Sequence, residues 1–202
     1  MLYLIFNLQL KQKVIKLTSG SISVSSFKDI MKVGGGGLIN SITIAGTVAV
    51  VTAAVSKHGV EALAGYGLGS RLEIIITPLV FGIGSVLTAS VGINVGAQQL
   101  HRAKIIAWTG AFISFFVVGL LGATVTIFPD IWLNNFESST LIKDYATSYL
   151  MIVAPFYCFF AAGQTLYFAS QGLGKIFYPV VVGIIRLFSV SLICLYVTFY
   201  DL

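Results

Sequence analysis

The residues best suited to chemistry in this sequence are aromatic and amide side chains within one apolar segment. They recur at steps of three and four residues, which places them on one helical face: Tyr157, Phe160, Gln164, Tyr167 and Gln171. Such a face can hold an aromatic or cationic organic molecule by stacking and cation–π attraction. It can equally be a packing face with Tyr and Gln at its ends.

A second polar set lies in an earlier apolar segment, where Asn40, Thr43 and Thr47 share one helical face. Amide and hydroxyl groups are costly against lipid, so these side chains should face protein or a water-filled cavity. The spacing leaves open whether they form hydrogen bonds between helices or line a cavity.

Two charged residues also require an explanation. Glu73 lies at the start of an apolar run. It is either a solvated carboxylate at the membrane surface, or a titratable gate or cation ligand. Arg186 lies near the middle of the last apolar run, where a charge needs a partner or water. Its guanidinium stays protonated, so it cannot be a proton carrier. It either pairs with an acid or a helix carbonyl end, or attracts an anionic group.

Enzyme motifs are missing from the sequence. Gly34–Gly37 is not followed by the Lys-Ser/Thr pair of a phosphate-binding loop, and no HExxH motif occurs. His58 and His101 are separated by a predicted membrane span, so they cannot share a metal ion. We therefore expect no catalytic residue, no metal site and no cofactor.

Five long apolar runs, the last of which is interrupted only by Arg186, must position the candidate residues. Each run is long enough to cross about 30 Å of hydrocarbon, which takes about 20 residues. A composition of 57% hydrophobic and 9% charged residues agrees with a membrane protein. We predict an all-α polytopic membrane protein with five full transmembrane helices plus the end of a sixth in residues 1–10. The five predicted spans are 33–56, 74–97, 105–129, 145–171 and 177–200.

The second span has small residues at every fourth position, Gly84, Thr88, Gly92 and Gly96, which indicates close helix packing or backbone flexibility. Pro155 lies inside the fourth span, where it removes a backbone hydrogen bond and can bend the helix.

The net charge of +5 is explained by its distribution along the chain. With the N-terminus inside, eight lysines and arginines lie on the cytoplasmic side and three lie outside, as the positive-inside rule expects. Residues 1–32 are thus predicted to be cytoplasmic, with residues 11–32 as a linker, and the protein to be multi-pass in the inner (plasma) membrane. No basic patch with interleaved aromatics indicates nucleic-acid binding.

Three segments resemble, in order and spacing, the C-terminal lobe of MATE (multidrug and toxic compound extrusion) transporters. They are EALAGYGLGSRLE (Glu61–Glu73), VGINVGAQQLHRAK (Val91–Lys104) and ASQGLGKIFYPVVVGIIRL (Ala169–Leu187). The resemblance implies a twelve-helix protein of two lobes that rock to give alternating access. Residues 33–202 would then be most of the C-terminal lobe, with the N-terminal lobe as its missing partner.

The same resemblance implies efflux of small, often cationic organic compounds by antiport with sodium ions or protons. It makes Glu73 the candidate ion-coupling acid, with Arg186 an intramembrane charge. The expected substrate cavity is lined by Asn40, Thr43, Tyr157, Gln164 and Tyr167. Several family members have an acid within helix seven or ten, where this chain has Asn40 and Gln164 as the nearest polar substitutes. The alternatives are a related flippase for lipid-linked sugars and an inactive or non-transporting membrane fragment.

Overall fold

A computed structural model describes residues 24–136 and 138–199, and these residues form helices and connecting turns without a strand. Five stretches among them are long and apolar enough to span a membrane, as predicted. The predicted end of a sixth helix, in residues 1–10, lies outside the described residues. The helices are α1 (Val24–Ser56), α2 (Val60–Ser70), α3 (Leu72–Gly96), α4 (Leu100–Ile127), α5 (Pro129–Leu133), α6 (Thr140–Val153), α7 (Tyr157–Gly172) and α8 (Phe177–Phe199).

The chain divides after Gly35 into two units. In the first unit the described residues, 24–35, are helical, so α1 begins at Val24, while its stretch long and apolar enough to span a membrane is Gly34–Ser56, within one residue of the predicted span 33–56. Part of the predicted linker 11–32 is therefore helix, and its first thirteen residues lie outside the described part of the chain. The packing and the candidate site below belong to the second unit, Gly36–Leu202.

The segment His58–Ser70, which lies between the first two predicted spans, is mostly the helix α2. It leads into α3 through Arg71, whose own backbone is helical. The glycines serve close packing, because a Cβ at Gly65 would stand only 3.0 Å from the carbonyl oxygen of Ile142 in α6. The sequence analysis assigned no helix here, because glycine indicates a loop in water but a helix contact where backbones approach closely.

The buried core lies among α2, α3, α4, α6 and α7. Ile76 and Val80 of α3 meet Val118 of α4 and Leu150 of α6 in one apolar cluster. The stripe of small residues on α3 packs against α7, since Thr88 donates a 2.9 Å hydrogen bond to the carbonyl oxygen of Phe168. The predicted helix-packing role of this stripe is confirmed at Thr88.

The fourth span is broken where Pro155 predicted a bend. Helix α6 ends at Val153, a 3₁₀ turn covers Ala154–Phe156, and α7 begins at Tyr157. Proline has no N–H to continue the α-helical ladder, which explains the change of helix type. The break separates two short helices, and a tyrosine from each of them contacts the carboxylate of Glu73.

Candidate functional site

Glu73 lies in the first turn of α3, and its carboxylate is held inside the helix bundle. Its Oε1 accepts hydrogen bonds from the hydroxyl of Tyr149 at 3.0 Å and from that of Tyr157 at 3.1 Å. Tyr66 of α2 packs edge-on against Tyr149, with ring centroids 5.3 Å apart. Glu73 is therefore a partly buried carboxylate with two tyrosine donors, which does not fit the interpretation of a freely solvated surface acid.

The two tyrosines stand on opposite sides of the 3₁₀ turn. Tyr149 belongs to α6 and lines a cavity beside Glu73. Tyr157 opens α7 and is only 5% exposed. One carboxylate thus ties together both parts of the broken fourth span.

A cavity of about 580 Å³ is lined by Glu73, Tyr149, Thr47, Gln164 and Arg186, among others; we name it the Glu73 cavity. It receives residues from α1, α2, α3, α6, α7 and α8. Its volume lies within the range of about 300–1,000 Å³ that holds drug-sized ligands. Its wall is mostly apolar with a few polar groups, as is typical of small-molecule sites.

A second cavity of about 580 Å³ is lined by Asn40, Tyr167, Pro179 and other residues of α1, α7 and α8; we name it the Asn40 cavity. Phe160, Gln164 and Arg186 line both cavities. The two cavities are therefore neighbours that share three side chains.

Three of the five predicted cavity residues line at least one of these spaces: Asn40 and Tyr167 line the Asn40 cavity, and Gln164 lines both. Tyr157 is instead packed behind Glu73 as its hydrogen-bond donor. Thr43 is also buried, and its hydroxyl donates to the carbonyl oxygen of Asn40 at 2.8 Å. It faces Gly183 of α8, where a Cβ would stand 3.1 Å from the threonine oxygen.

Arg186 presents an unbalanced charge to both cavities. Its Nε and Nη2 atoms are buried and have no hydrogen-bond partner among the described residues. Glu73 lines one of the same cavities, yet the two side chains form no ion pair.

Sequence reasoning missed Tyr149 and Tyr66 as neighbours of Glu73. Tyr149 is separated from Glu73 by 76 positions along the chain. Tyr149 does not belong to the stripe of Tyr157, Gln164 and Tyr167, because the 3₁₀ turn interrupts the helical register. Tyr66 lies on another helix, α2. A weak signal was available, namely that each tyrosine hydroxyl within a membrane span needs a polar partner.

No group of three or more His, Cys, Asp or Glu side chains within residues 24–136 and 138–199 is placed to hold a metal ion. The polar groups of the cavities are instead amides, hydroxyls, one carboxylate and one guanidinium. These groups can bind and orient an organic molecule.

A bundle of membrane-spanning helices with polar and aromatic cavities between its spans has the architecture of a membrane transporter. The sequence model of the MatE family matches residues 38–197, so this chain belongs to the MatE family. That family consists of helical membrane transporters and not of enzymes, and the chain is accordingly a multi-pass membrane protein.

Two curated relatives share the same printed description. The chain is 24% identical over 192 residues to the "Probable multidrug resistance protein NorM" of Thermotoga maritima, covering 94% of this chain and 40% of the relative. It is 21% identical over 142 residues to the protein of that description from Oceanobacillus iheyensis, covering 70% of this chain and 32% of the relative. The chain thus matches less than half the length of either relative.

Proposed function

We propose that this chain forms most of the C-terminal lobe of a multidrug antiporter in the inner (plasma) membrane, which exports small organic molecules in exchange for sodium ions or protons. The observation that supports it most directly is a drug-sized cavity with a carboxylate, Glu73, in its wall. An aromatic cation is attracted to a carboxylate and stacks on rings such as Tyr66 and Phe160 of the same wall.

Glu73 is the proposed ion-coupling residue. A carboxylate that accepts from two hydroxyls is an acceptor-only group, whereas a protonated one must donate its own proton. A sodium ion would likewise compete for the oxygen that Tyr149 and Tyr157 now contact. Either ion would therefore alter the hydrogen bonds that Glu73 accepts from α6 and α7, which lie on opposite sides of the 3₁₀ turn.

A second lobe is the proposed partner. The Asn40 cavity and the Glu73 cavity are lined in part by α1 and α8, and α8 has only Gly183 as a buried residue. Because the relatives are more than twice as long as the matched part, an N-terminal lobe would have the length to close these spaces.

The test uses the protein expressed from its complete natural reading frame, in cells that lack other drug pumps. We expect it to lower the accumulation of the fluorescent cation ethidium and to respond to an imposed sodium or proton gradient. Glu73→Gln removes the negative charge while keeping the side-chain size, and it should abolish the response to the gradient.

Glu61→Gln is the matched control, because Glu61 is an exposed acid at the start of α2. It should leave transport unchanged. Full ion-driven transport by the Glu73→Gln protein would refute the role of Glu73, and no export by the wild type would refute antiport itself.

The runner-up function is a flippase for lipid-linked sugars, which the unpaired Arg186 favours because it presents a positive charge to both cavities. Such a protein should bind an isoprenyl-linked sugar phosphate and ignore ethidium. Binding of both ligands to the purified protein, measured side by side, distinguishes the two functions.

A further inference from the structure

We propose that the helix pair α3 and α4 binds one anionic phospholipid on its lipid-facing side, with the phosphate at Arg102 and Lys104 and an acyl chain in a groove between the helices. The wall of this groove is formed by residues of α3 between positions 83 and 90 and of α4 between positions 105 and 113; we name it the α3–α4 groove. The site is independent of which molecule the transporter exports.

The α3–α4 groove has the size and shape for part of an acyl chain. Its volume is about 420 Å³, and it runs between two antiparallel helices joined by the short turn 97–99. Leu87 packs on Gly110 at its floor, where a Cβ on the glycine would collide with the leucine side chain. Residues 105–113 rise about 12 Å along α4, which fits within the roughly 15 Å of hydrocarbon in one leaflet.

The groove opens toward the surroundings of the bundle. Val86 is 65% exposed, and Ile105 and Ile113 are 52% and 50% exposed. None of the residues of the groove lines the Glu73 cavity or the Asn40 cavity. Because α3 and α4 belong to stretches long and apolar enough to span a membrane, the molecules that reach this side are lipids. An acyl chain matches the largely apolar wall of the groove.

The end of the groove next to the turn is positively charged. Arg102 precedes Ile105 and Ile106 of the groove by three and four residues, which places it at the mouth of the groove on the same face of α4. Both Arg102 and Lys104 are exposed. Residues 74–129 contain no acid, so the helix pair itself has no carboxylate to neutralise these cations. A lipid phosphate supplies the negative charge, and arginine can bind two of its oxygens at once.

Trp108 supports the depth assigned to this end of the helix pair. Its side chain is 50% exposed one turn after Lys104, and tryptophan is enriched where the bilayer meets water. The distribution of lysine and arginine predicts that this end is cytoplasmic, which is the side where anionic lipids attract basic residues near the surface. A headgroup with a net negative charge therefore fits the site better than a zwitterionic one.

The experiment compares two lipids that have the same acyl chains. Dioleoylphosphatidylglycerol is anionic and dioleoylphosphatidylcholine is zwitterionic, and each is titrated onto the purified protein from the complete reading frame in a non-ionic detergent. Bound lipid is counted by native mass spectrometry. Arg102→Gln and Lys104→Gln remove the charges, and Thr109→Phe places a ring in the groove. The controls are Lys57→Gln, at an exposed cation outside the helix pair, and Val117→Phe, which adds the same ring to α4 outside the groove.

We expect wild-type protein to bind phosphatidylglycerol about 25-fold more tightly than phosphatidylcholine, because each of two cations near an anionic lipid contributes about fivefold. Arg102→Gln and Lys104→Gln should each weaken phosphatidylglycerol by about fivefold and leave phosphatidylcholine unchanged. Thr109→Phe should weaken both lipids alike, because it occupies the space of the acyl chain. Both controls should match the wild type.

Equal binding of the two lipids by the wild type would refute the recognition of charge. A preference for phosphatidylglycerol that survives the combined removal of Arg102 and Lys104 would place the anionic lipid elsewhere on the protein. Unchanged binding to Thr109→Phe, or displacement of the lipid by an equal concentration of glycerol phosphate, would mean that the cations hold a phosphate without help from the groove. Each of these results overturns the inference and leaves the proposed efflux standing, since export of ethidium is measured separately in cells.

Discussion

Replacing Tyr157 by Phe tests whether the carboxylate of Glu73 stabilises the bundle through its tyrosine donors. The substitution keeps the buried ring and removes only the hydroxyl, which donates to Glu73 Oε1 at 3.1 Å. Tyr157 is 5% exposed, so water cannot easily take the place of the lost donor. The carboxylate keeps its second donor, Tyr149.

These contacts set the size of the effect. A hydrogen bond to a charged group contributes about 1.5–3 kcal/mol, whereas hydrogen bonds between helices in membranes average about 0.6 kcal/mol and reach about 1.7 kcal/mol. Since Glu73 retains one donor, we expect Tyr157→Phe to lower the free energy of unfolding by about 1–2 kcal/mol.

A double-mutant cycle with Glu73→Gln isolates the contribution of the charge. The glutamine oxygen can still accept a neutral hydrogen bond from Tyr157, so the hydroxyl should contribute less in that background. We expect a coupling free energy of about 1 kcal/mol between the two positions.

The measurement is reversible unfolding of the purified protein in mixed micelles by sodium dodecyl sulfate. Tyr178→Phe is the matched control, because Tyr178 is 74% exposed, and it should change stability by less than about 0.5 kcal/mol. An identical cost of Tyr157→Phe with Glu73 and with Gln at position 73 would refute the charge-assisted hydrogen bond.

Two further predictions concern packing and can be checked by the same unfolding assay. Gly84→Ala places a methyl group against the ring of Phe168 and should destabilise the bundle by about 1–3 kcal/mol, whereas Gly82→Ala points into open space and should be neutral or stabilising by up to about 1 kcal/mol. Equal effects at the two glycines would contradict the assigned α3–α7 contact. Trp132→Phe removes the indole N–H that donates to the carbonyl oxygen of Leu68 at 3.2 Å, and it should cost about 0.5–1.5 kcal/mol; no change would mean that water replaces this bond.

The five spans could be predicted because each is a continuous apolar run, and a charge interrupts only the last of them. The helix α2 was missed because Gly65, Gly67 and Gly69 resemble a loop when their neighbours are unknown. In the structure, Gly65 and Gly69 face Tyr145 and Tyr149 of α6, and a side chain at either glycine would collide with a tyrosine. Helix contacts of this kind depend on residues about 80 positions away along the chain. The periodicity of residues within one segment gives no information about such contacts.

The candidate site, like the fold, could be predicted only in part from the sequence. The three- and four-residue spacing places five residues on one face, of which Tyr157, Gln164 and Tyr167 are buried, whereas Phe160 is 36% exposed. It could not distinguish a side chain that lines a cavity from one that packs behind it, because both lie on the inward face. Tyr157 belongs to the second kind, since its hydroxyl is bound to Glu73.

In the proposed transporter, the hydrogen bonds around Glu73 can couple ligand binding in the cavity to movement of α6 relative to α7. Tyr149 lines the Glu73 cavity while Tyr157 is buried, so a cation that enters the cavity competes with Tyr149 first. The bond to Tyr157 would then hold α7 to Glu73 while α6 is released. Because the 3₁₀ turn at Ala154–Phe156 already lacks a regular α-helical ladder, it is the point where α6 can turn relative to α7 at least cost. Binding in the cavity and bending of the fourth span would thus be coupled through a single carboxylate.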